Sequence, residues 1–221
     1  MKLKYIIPAL YLAFGACGGK DDKPAKQEDK QEERIAISNA DVEYYPVNGS
    51  NCEEAKENMT GYTLDDEWVA GKTDAEIKFE CSYDPTPEPG DVPRKEYCCK
   101  AVIGNLTTSC NATVYLPQWN GSDKCWDKFI DALTVHEQGH VDICQDYKGQ
   151  LESALEGLES TKCSTSMEAA CNDALDDLEQ RANSEFEKVS AEHKGAQDTY
   201  DASTDHGRGA GQNAVLNCDC E

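Results

Sequence analysis

Two histidines, His136 and His140, restrict the fold more than any other feature of the chain, because they fall on the apolar stripe of a long helical pattern. From about Ser122, Trp126, Phe129, Ile130, Leu133, Cys144, Tyr147, Leu151, Leu155 and Leu158 recur at three- and four-residue steps, the period of an amphipathic helix. A packed helix of this kind buries both imidazoles, and buried polar groups need partners. Residues four apart on a helix stand one turn above each other, so a single metal ion satisfies both rings. The run His136-Glu137-Gln138-Gly139-His140 is an HExxH motif, with Glu137 beside the ligands as a base for water. The competing reading is a helical HExxH that binds nothing; with four histidines in 221 residues, an accidental match is rare.

Catalytic zinc commonly takes three protein ligands, so a third is needed. Asp146 has the spacing of one metalloprotease group, but Ile143 stands where that group has a chain-bending glycine, and on a continuing helix Asp146 points away. Glu152, Glu156 and Glu159 read as solvent charges on the same helix. A second helical pattern follows Ser164, through Met167, Cys171, Leu175, Leu178, Ala182, Phe186 and Val189, and His193 lies on its stripe near the end. His206 lies beyond, in the polar run Tyr200-Asp201-Ala202-Ser203-Thr204-Asp205-His206-Gly207, read as a loop. His206 is preferred as third ligand and His193 is the alternative.

The N-terminus has a basic start (Lys2, Lys4), a short apolar run and small residues before Cys17, the pattern of a secretory signal rather than a membrane span. Phe14-Gly15-Ala16-Cys17 has the form of a bacterial lipobox, with Cys17 as the lipidated residue; the alternative is an ordinary signal and free secretion. Residues 18–34 are charged and lack large apolar groups, so they read as a solvated tether. The expected organisation is a signal at 1–17, a tether at 18–34 and one domain at 35–221, strand-rich over 35–120, helical over 122–195, with a ligand loop and tail at 196–221. The expected location is outside the cytoplasm, lipid-anchored to a membrane in the periplasm or at the cell surface.

Net charge is −22, which excludes a basic nucleic-acid-binding face. Twelve cysteines in a secreted chain imply disulfides. Local pairings to expect are Cys98 or Cys99 with Cys110, Cys163 with Cys171, and Cys218 or Cys220 tying down the tail. With Cys17 lipidated, an odd cysteine remains. Five Asn-x-Ser/Thr sequons, at Asn48, Asn58, Asn105, Asn111 and Asn120, read as polar turns beside a lipobox.

In the strand-rich part, Ile35–Ser38, Val42–Val47 and Glu76–Tyr83 alternate, Cys52–Met59 suggests a short helix, and 84–93 is a proline-rich loop. Tyr97–Ile103 and Ala112–Leu116 flank Gly104-Asn105 as a hairpin. The fold class expected is α+β, a small antiparallel sheet followed by the HExxH helix packed against a second, antiparallel helix, in a zincin-like arrangement.

The segments TVYLPQW, CWDKFIDALTVHEQGHVDI and YDASTDHG, with the opening YYPVNG and the strand AEIKFECSY, resemble a bacterial family known as predicted secreted zinc-dependent proteases (domain of unknown function 922). The resemblance spans about residues 40–212. It implies His136, His140 and His206 as zinc ligands and Glu137 as general base; the chain departs from that pattern in its many cysteines and long inter-helix segment.

The expected chemistry is hydrolysis of a peptide or protein substrate by a monomer, with zinc acidifying water and Glu137 accepting its proton. Tyr200 or Arg208 is a candidate donor to the developing oxyanion. Asp201 or Asp205 is a candidate to orient a ligand histidine. Trp119 and Trp126 read as core, and the strand ending at Leu116 as a possible template for an extended peptide. The alternative function is a non-catalytic, zinc-stabilised surface module that binds peptides or is structural.

Overall fold

In the computed structural model the described residues are 36–64, 67–90, 96–209 and 211–220. The signal, the tether and Cys17 lie outside them. The elements in chain order are β1 (Asp41–Val47), α1 (Cys52–Glu57), β2 (Tyr62–Leu64), β3 (Glu67–Val69), β4 (Lys72–Glu80), β5 (Tyr83–Glu88), β6 (Tyr97–Ile103), β7 (Thr107–Trp119), α2 (Lys124–Leu155), β8 (Glu159–Ser164) and α3 (Met167–Thr204). The fold is α+β, as expected, but its sheets are arranged differently.

β7 is the central strand of the first sheet, parallel to β1 along one half and antiparallel to β4 along the other. The sheet is therefore mixed rather than antiparallel. Parallel neighbours need a long crossover, and the chain from α1 through β6 supplies it. β4 alternates as its sequence suggests, turning Ile77 into the core. It and β1 are the sheet edges, so β7, ending past Leu116, is not the strand free to pair with a peptide.

β5, β6 and β8 form a second, antiparallel sheet, and β2 and β3 pair as a short hairpin. Three expectations fail here. The proline-rich run is not all loop: Pro85 and Pro87 lie in β5, an edge strand, where alternate residues need no ladder donor. The hairpin between Tyr97–Ile103 and Ala112–Leu116 does not form; Gly104 N–H donates to Ser82 O at 2.7 Å, and the two strands enter different sheets. Residues 36–38 are irregular rather than strand, and the chain reverses at Asn39 (φ 62°).

Asp123 caps α2, accepting from Cys125 N–H at 2.8 Å and Trp126 N–H at 3.3 Å, and the apolar stripe then holds the helix against the first sheet through Leu155. Gly157 (φ 77°) ends it, leaving Leu158 outside. The link to α3 is not a simple turn near Cys163 but β8, whose polar sequence ESTKCS carries no apolar alternation to betray a strand. Ser166 caps α3, accepting from Ala169 N–H at 3.2 Å, and α3 packs antiparallel to α2. α3 does not stop at Gly195; it runs to Thr204, and Asp205 closes it in the left-handed conformation (φ 50°, ψ 50°).

Five disulfides among the described residues join elements far apart in sequence: Cys52–Cys218, Cys98–Cys163, Cys99–Cys171, Cys110–Cys144 and Cys125–Cys220. Neighbours on a strand point to opposite faces, so Cys98 reaches β8 and Cys99 reaches α3. The expected Cys98/Cys99–Cys110 and Cys163–Cys171 pairs are thereby overturned, since Cys110 sits in the other sheet and bonds α2. The tail is tied down as expected, by both Cys218 and Cys220, and Cys81 is the free cysteine among the described residues. Five such bonds point to an oxidising compartment outside the cytoplasm. No described helix is long and apolar enough to cross a membrane.

Candidate metal centre

α2 presents His136, Glu137 and His140 on its buried face, with only 3%, 2% and 7% of their surfaces exposed. The last turns of α3 cross them there. Gly139, a free position in the motif, makes the crossing possible: a Cβ on it would stand 2.1 Å from Tyr200 Oη and 2.4 Å from Cζ. The Tyr200 ring instead stacks on His136, centroids 5.1 Å apart and planes 10° from parallel. Its hydroxyl donates to His136 O at 3.2 Å and accepts from Gln212 Nε2 at 2.6 Å. That hydroxyl is thus engaged in packing the helices together.

The nitrogens facing inward converge. His136 Nε2 and His140 Nε2 are 3.3 Å apart, and Asp201 Oδ1 lies 3.3 Å from the first and 3.0 Å from the second. The outward nitrogens explain why these point in. His136 Nδ1 faces Gln212 Oε1 at 3.0 Å, and His140 Nδ1 faces Gln197 Oε1. The Gln197 amide nitrogen donates to His140 O at 3.1 Å, which orients the amide and leaves its oxygen to accept. Each Nδ1 therefore carries a proton, and each Nε2 offers a lone pair inward.

Two lone pairs and a carboxylate this close repel unless a cation lies between them. Tetrahedral ligands about 2.0–2.1 Å from a zinc ion stand roughly 3.3–3.4 Å from one another, close to the separations seen. Among the described residues, His136, His140 and Asp201 are the group whose ligand atoms all lie within 4.8 Å of one another, and they could hold a metal ion. Without an ion, protonation of an imidazole relieves the same repulsion. Burial alone would raise the Asp201 pKa, but hydrogen bonds and charge from His136 and His140 hold it well below the usual carboxylate range. Burial alone would lower that of His140, but Asp201 and Gln197 raise it above the ordinary imidazole value.

Asp201 occupies the place in this group that the sequence suggested for His206. His206 follows the left-handed cap, and its Nδ1 is 3.5 Å from Asp201 Oδ1, so it approaches through that carboxylate. His193 stands further out: its Nε2 accepts from Gln197 Nε2 at 2.9 Å, and its ring lies 5.7 Å from that of Tyr147. Asp205 is exposed, with Oδ1 3.0 Å from the Arg208 guanidinium. Asp146 is exposed on α2, as its spacing implied. Trp119 and Trp126 pack edge to face at 5.4 Å in the core.

Glu137 lies beside the group rather than in it. Its Oε2 accepts from Thr73 Oγ1 of β4 at 2.6 Å, and Gly71 leaves room for Oε1, which a Cβ there would approach to 2.7 Å. Burial pushes its pKa up. A cavity of about 1100 Å³ opens over these groups, lined near them by His136, Glu137, His140, Asp201, His206 and Arg208.

Gln197 and Gln212 carry no sequence signature as ligand supports. Gln197, Tyr200, Asp201 and Thr204 do share helical spacing with His193, a signal hidden by their polarity and by Gly195. No curated protein and no solved structure matches the chain. A family model described as bacterial protein of unknown function (DUF922) matches residues 42–207, from β1 through the residue after His206, and the chain belongs to that family.

Proposed function

We propose that the protein is a zinc-dependent peptidase acting outside the cytoplasm, on a domain held to a membrane through lipid on Cys17. The observation that carries the reading is Glu137: a buried carboxylate with a raised pKa, beside a convergent His136–His140–Asp201 group but outside it, facing a large cavity. A structural metal site has no use for such a group. His136, His140 and Asp201 would hold the ion, and Gln212 and Gln197 fix the tautomers that let the histidines do so. When bound, zinc supplies positive charge that polarises a carbonyl and acidifies water.

Glu137 takes the proton from the attacking water and returns it to the leaving nitrogen, so the carboxylate is regenerated. Its raised pKa suits both transfers, because a group that is too acidic would not hold the proton between them. Thr73 keeps the carboxylate in place. β4 pairs with β7 on one side, and its start lines the cavity, which supports an extended peptide laid along its other side.

The test is zinc content and peptide cleavage measured together. The purified protein is expected to hold about one zinc per chain, and Glu137→Gln to keep that zinc while losing cleavage by about 10²-fold or more. A Glu137→Gln protein that cuts as well as the parent would overturn the general-base role.

A further inference from the structure

α2 and β4 run side by side in the same direction. Gly71 faces Leu133 and Glu137, Thr73 Oγ1 reaches Glu137, and Ile77 packs in the cluster that contains Cys144. The cavity between them has two unlike ends. Toward the first turns of α2 its wall is Met59, Ala70, Phe129, Leu133, Ala214 and Leu216, all buried and all in one packed cluster. Toward the other end the wall carries Glu76 of β4 and Lys194 and Asp198 of α3. Phe129, Leu133 and Glu137 succeed one another at four-residue steps on α2. The apolar wall thus begins about 6 Å along the helix from the Glu137 carboxylate and extends to about 12 Å.

Four chain segments build this apolar end, and two disulfides hold three of them together. Met59 follows α1, whose Cys52 is bonded to Cys218; Phe129 lies one turn after Cys125, which is bonded to Cys220. Ala214 and Leu216 immediately precede the two tail cysteines. The tail lies beyond residue 207, where the family match ends.

We propose that this chamber is the specificity pocket and takes a large apolar side chain, of leucine or phenylalanine size, from the residue next to the bond that is cut; the inference rests on the peptidase reading. A charged side chain entering it would lose hydration and find no partner among these six residues, and the cation that lines the cavity from α1, Lys56, is itself exposed to solvent. An extra buried methylene in such a pocket changes kcat/KM by about ten-fold or more. Leucine replaced by alanine beside the cut removes three carbons and therefore lowers kcat/KM by about a thousand-fold, and aspartate lowers it further.

The experiment gives the zinc-loaded full chain a peptide series that differs only in the residues flanking the cut, and gives the Glu137→Gln protein the same series in a binding assay. Leucine, phenylalanine and methionine peptides are expected to be both cut and bound at least about ten-fold better than alanine, lysine or aspartate peptides. Ala214→Phe fills the chamber and shifts the preference toward smaller residues. Val215→Glu adds a charge at a rim position that is 53% exposed, so folding and zinc content stay intact while apolar peptides lose their advantage. Cutting and binding indifferent to the flanking residue, or a preference unchanged by both variants, overturns the pocket. Peptides bound with the expected preference but never cut keep the pocket and remove the peptidase reading. Cutting without preference does the reverse, and neither binding nor cutting removes both.

Discussion

Replacing Gly139 by alanine tests the way α3 is seated on the candidate metal site. In an unobstructed helix the change stabilises by about 1 kcal/mol, because glycine is a poor helix former. At Gly139 the new Cβ would lie 2.1, 2.4 and 2.9 Å from Tyr200 Oη, Cζ and Cε1. The ring cannot swing aside freely, since it stacks on His136 and its hydroxyl is held by His136 O and Gln212. Overpacking of this kind costs about 1–3 kcal/mol, and the two hydrogen bonds lost when the ring moves cost about 1 kcal/mol each. The net destabilisation is about 2–4 kcal/mol, or about 4–16 °C in Tm for a chain of this size.

Gly149 is the control, on the same helix, with nothing within 4 Å of a Cβ. Gly149→Ala is expected to raise Tm by about 2–4 °C. Thermal unfolding followed by circular dichroism in chelator reads both changes without interference from metal. In a Tyr200→Ala background, Gly139→Ala should lose its penalty, because the clashing ring is gone. If Gly139→Ala raises Tm as Gly149→Ala does, or costs the same with and without the tyrosine, then α3 does not cross α2 as described.

Two further predictions concern the ligands. Asp201→Ala is expected to weaken zinc binding in a competition assay much more than His206→Ala, because Asp201 faces both Nε2 atoms whereas His206 approaches through Asp201; equal losses would make His206 a ligand in its own right. The second is a pH dependence. In metal-free protein the pKa of His140 is raised above 6.5 and that of Asp201 is lowered below 3.8. Stability from the raised histidine is fully present below its unfolded pKa and is lost as pH rises through the folded one. Stability from the depressed carboxylate is present above its unfolded pKa and is lost as pH falls. The metal-free Tm should therefore peak between these ranges and decline toward pH 8. The increase in Tm on adding zinc should run the other way, growing with pH as His140 gives up its competing proton.

The helical half was legible because burial imposes a period: the stripe from Trp126 to Leu155 announced α2 and placed both histidines inside. The sheets were much less so. Nothing local distinguishes a hairpin at Gly104-Asn105 from a turn whose flanking strands join different partners, and β8 is polar because much of it stays exposed. The disulfides follow from that topology and could not precede it. The site shows the same division. His136, Glu137 and His140 are a spacing on one helix, and spacing is written in sequence. Asp201, Gln197 and Gln212 belong to the group only because α3 continues past Gly195 and because the tail is bonded back to α1 and α2.

Gly139 joins the two kinds of information. The motif counts it as a free position, since neither metal nor proton chemistry needs a side chain there. The fold uses that freedom: the absence of a Cβ lets Tyr200 lie against His136, and Asp201, the next residue on α3, arrives opposite both Nε2 atoms. A larger residue at this position would leave the HExxH motif intact while moving Asp201 away from the two Nε2 atoms. The candidate site in this chain therefore depends not on HExxH alone but on HExGH together with a tyrosine immediately before an acidic residue on a second helix.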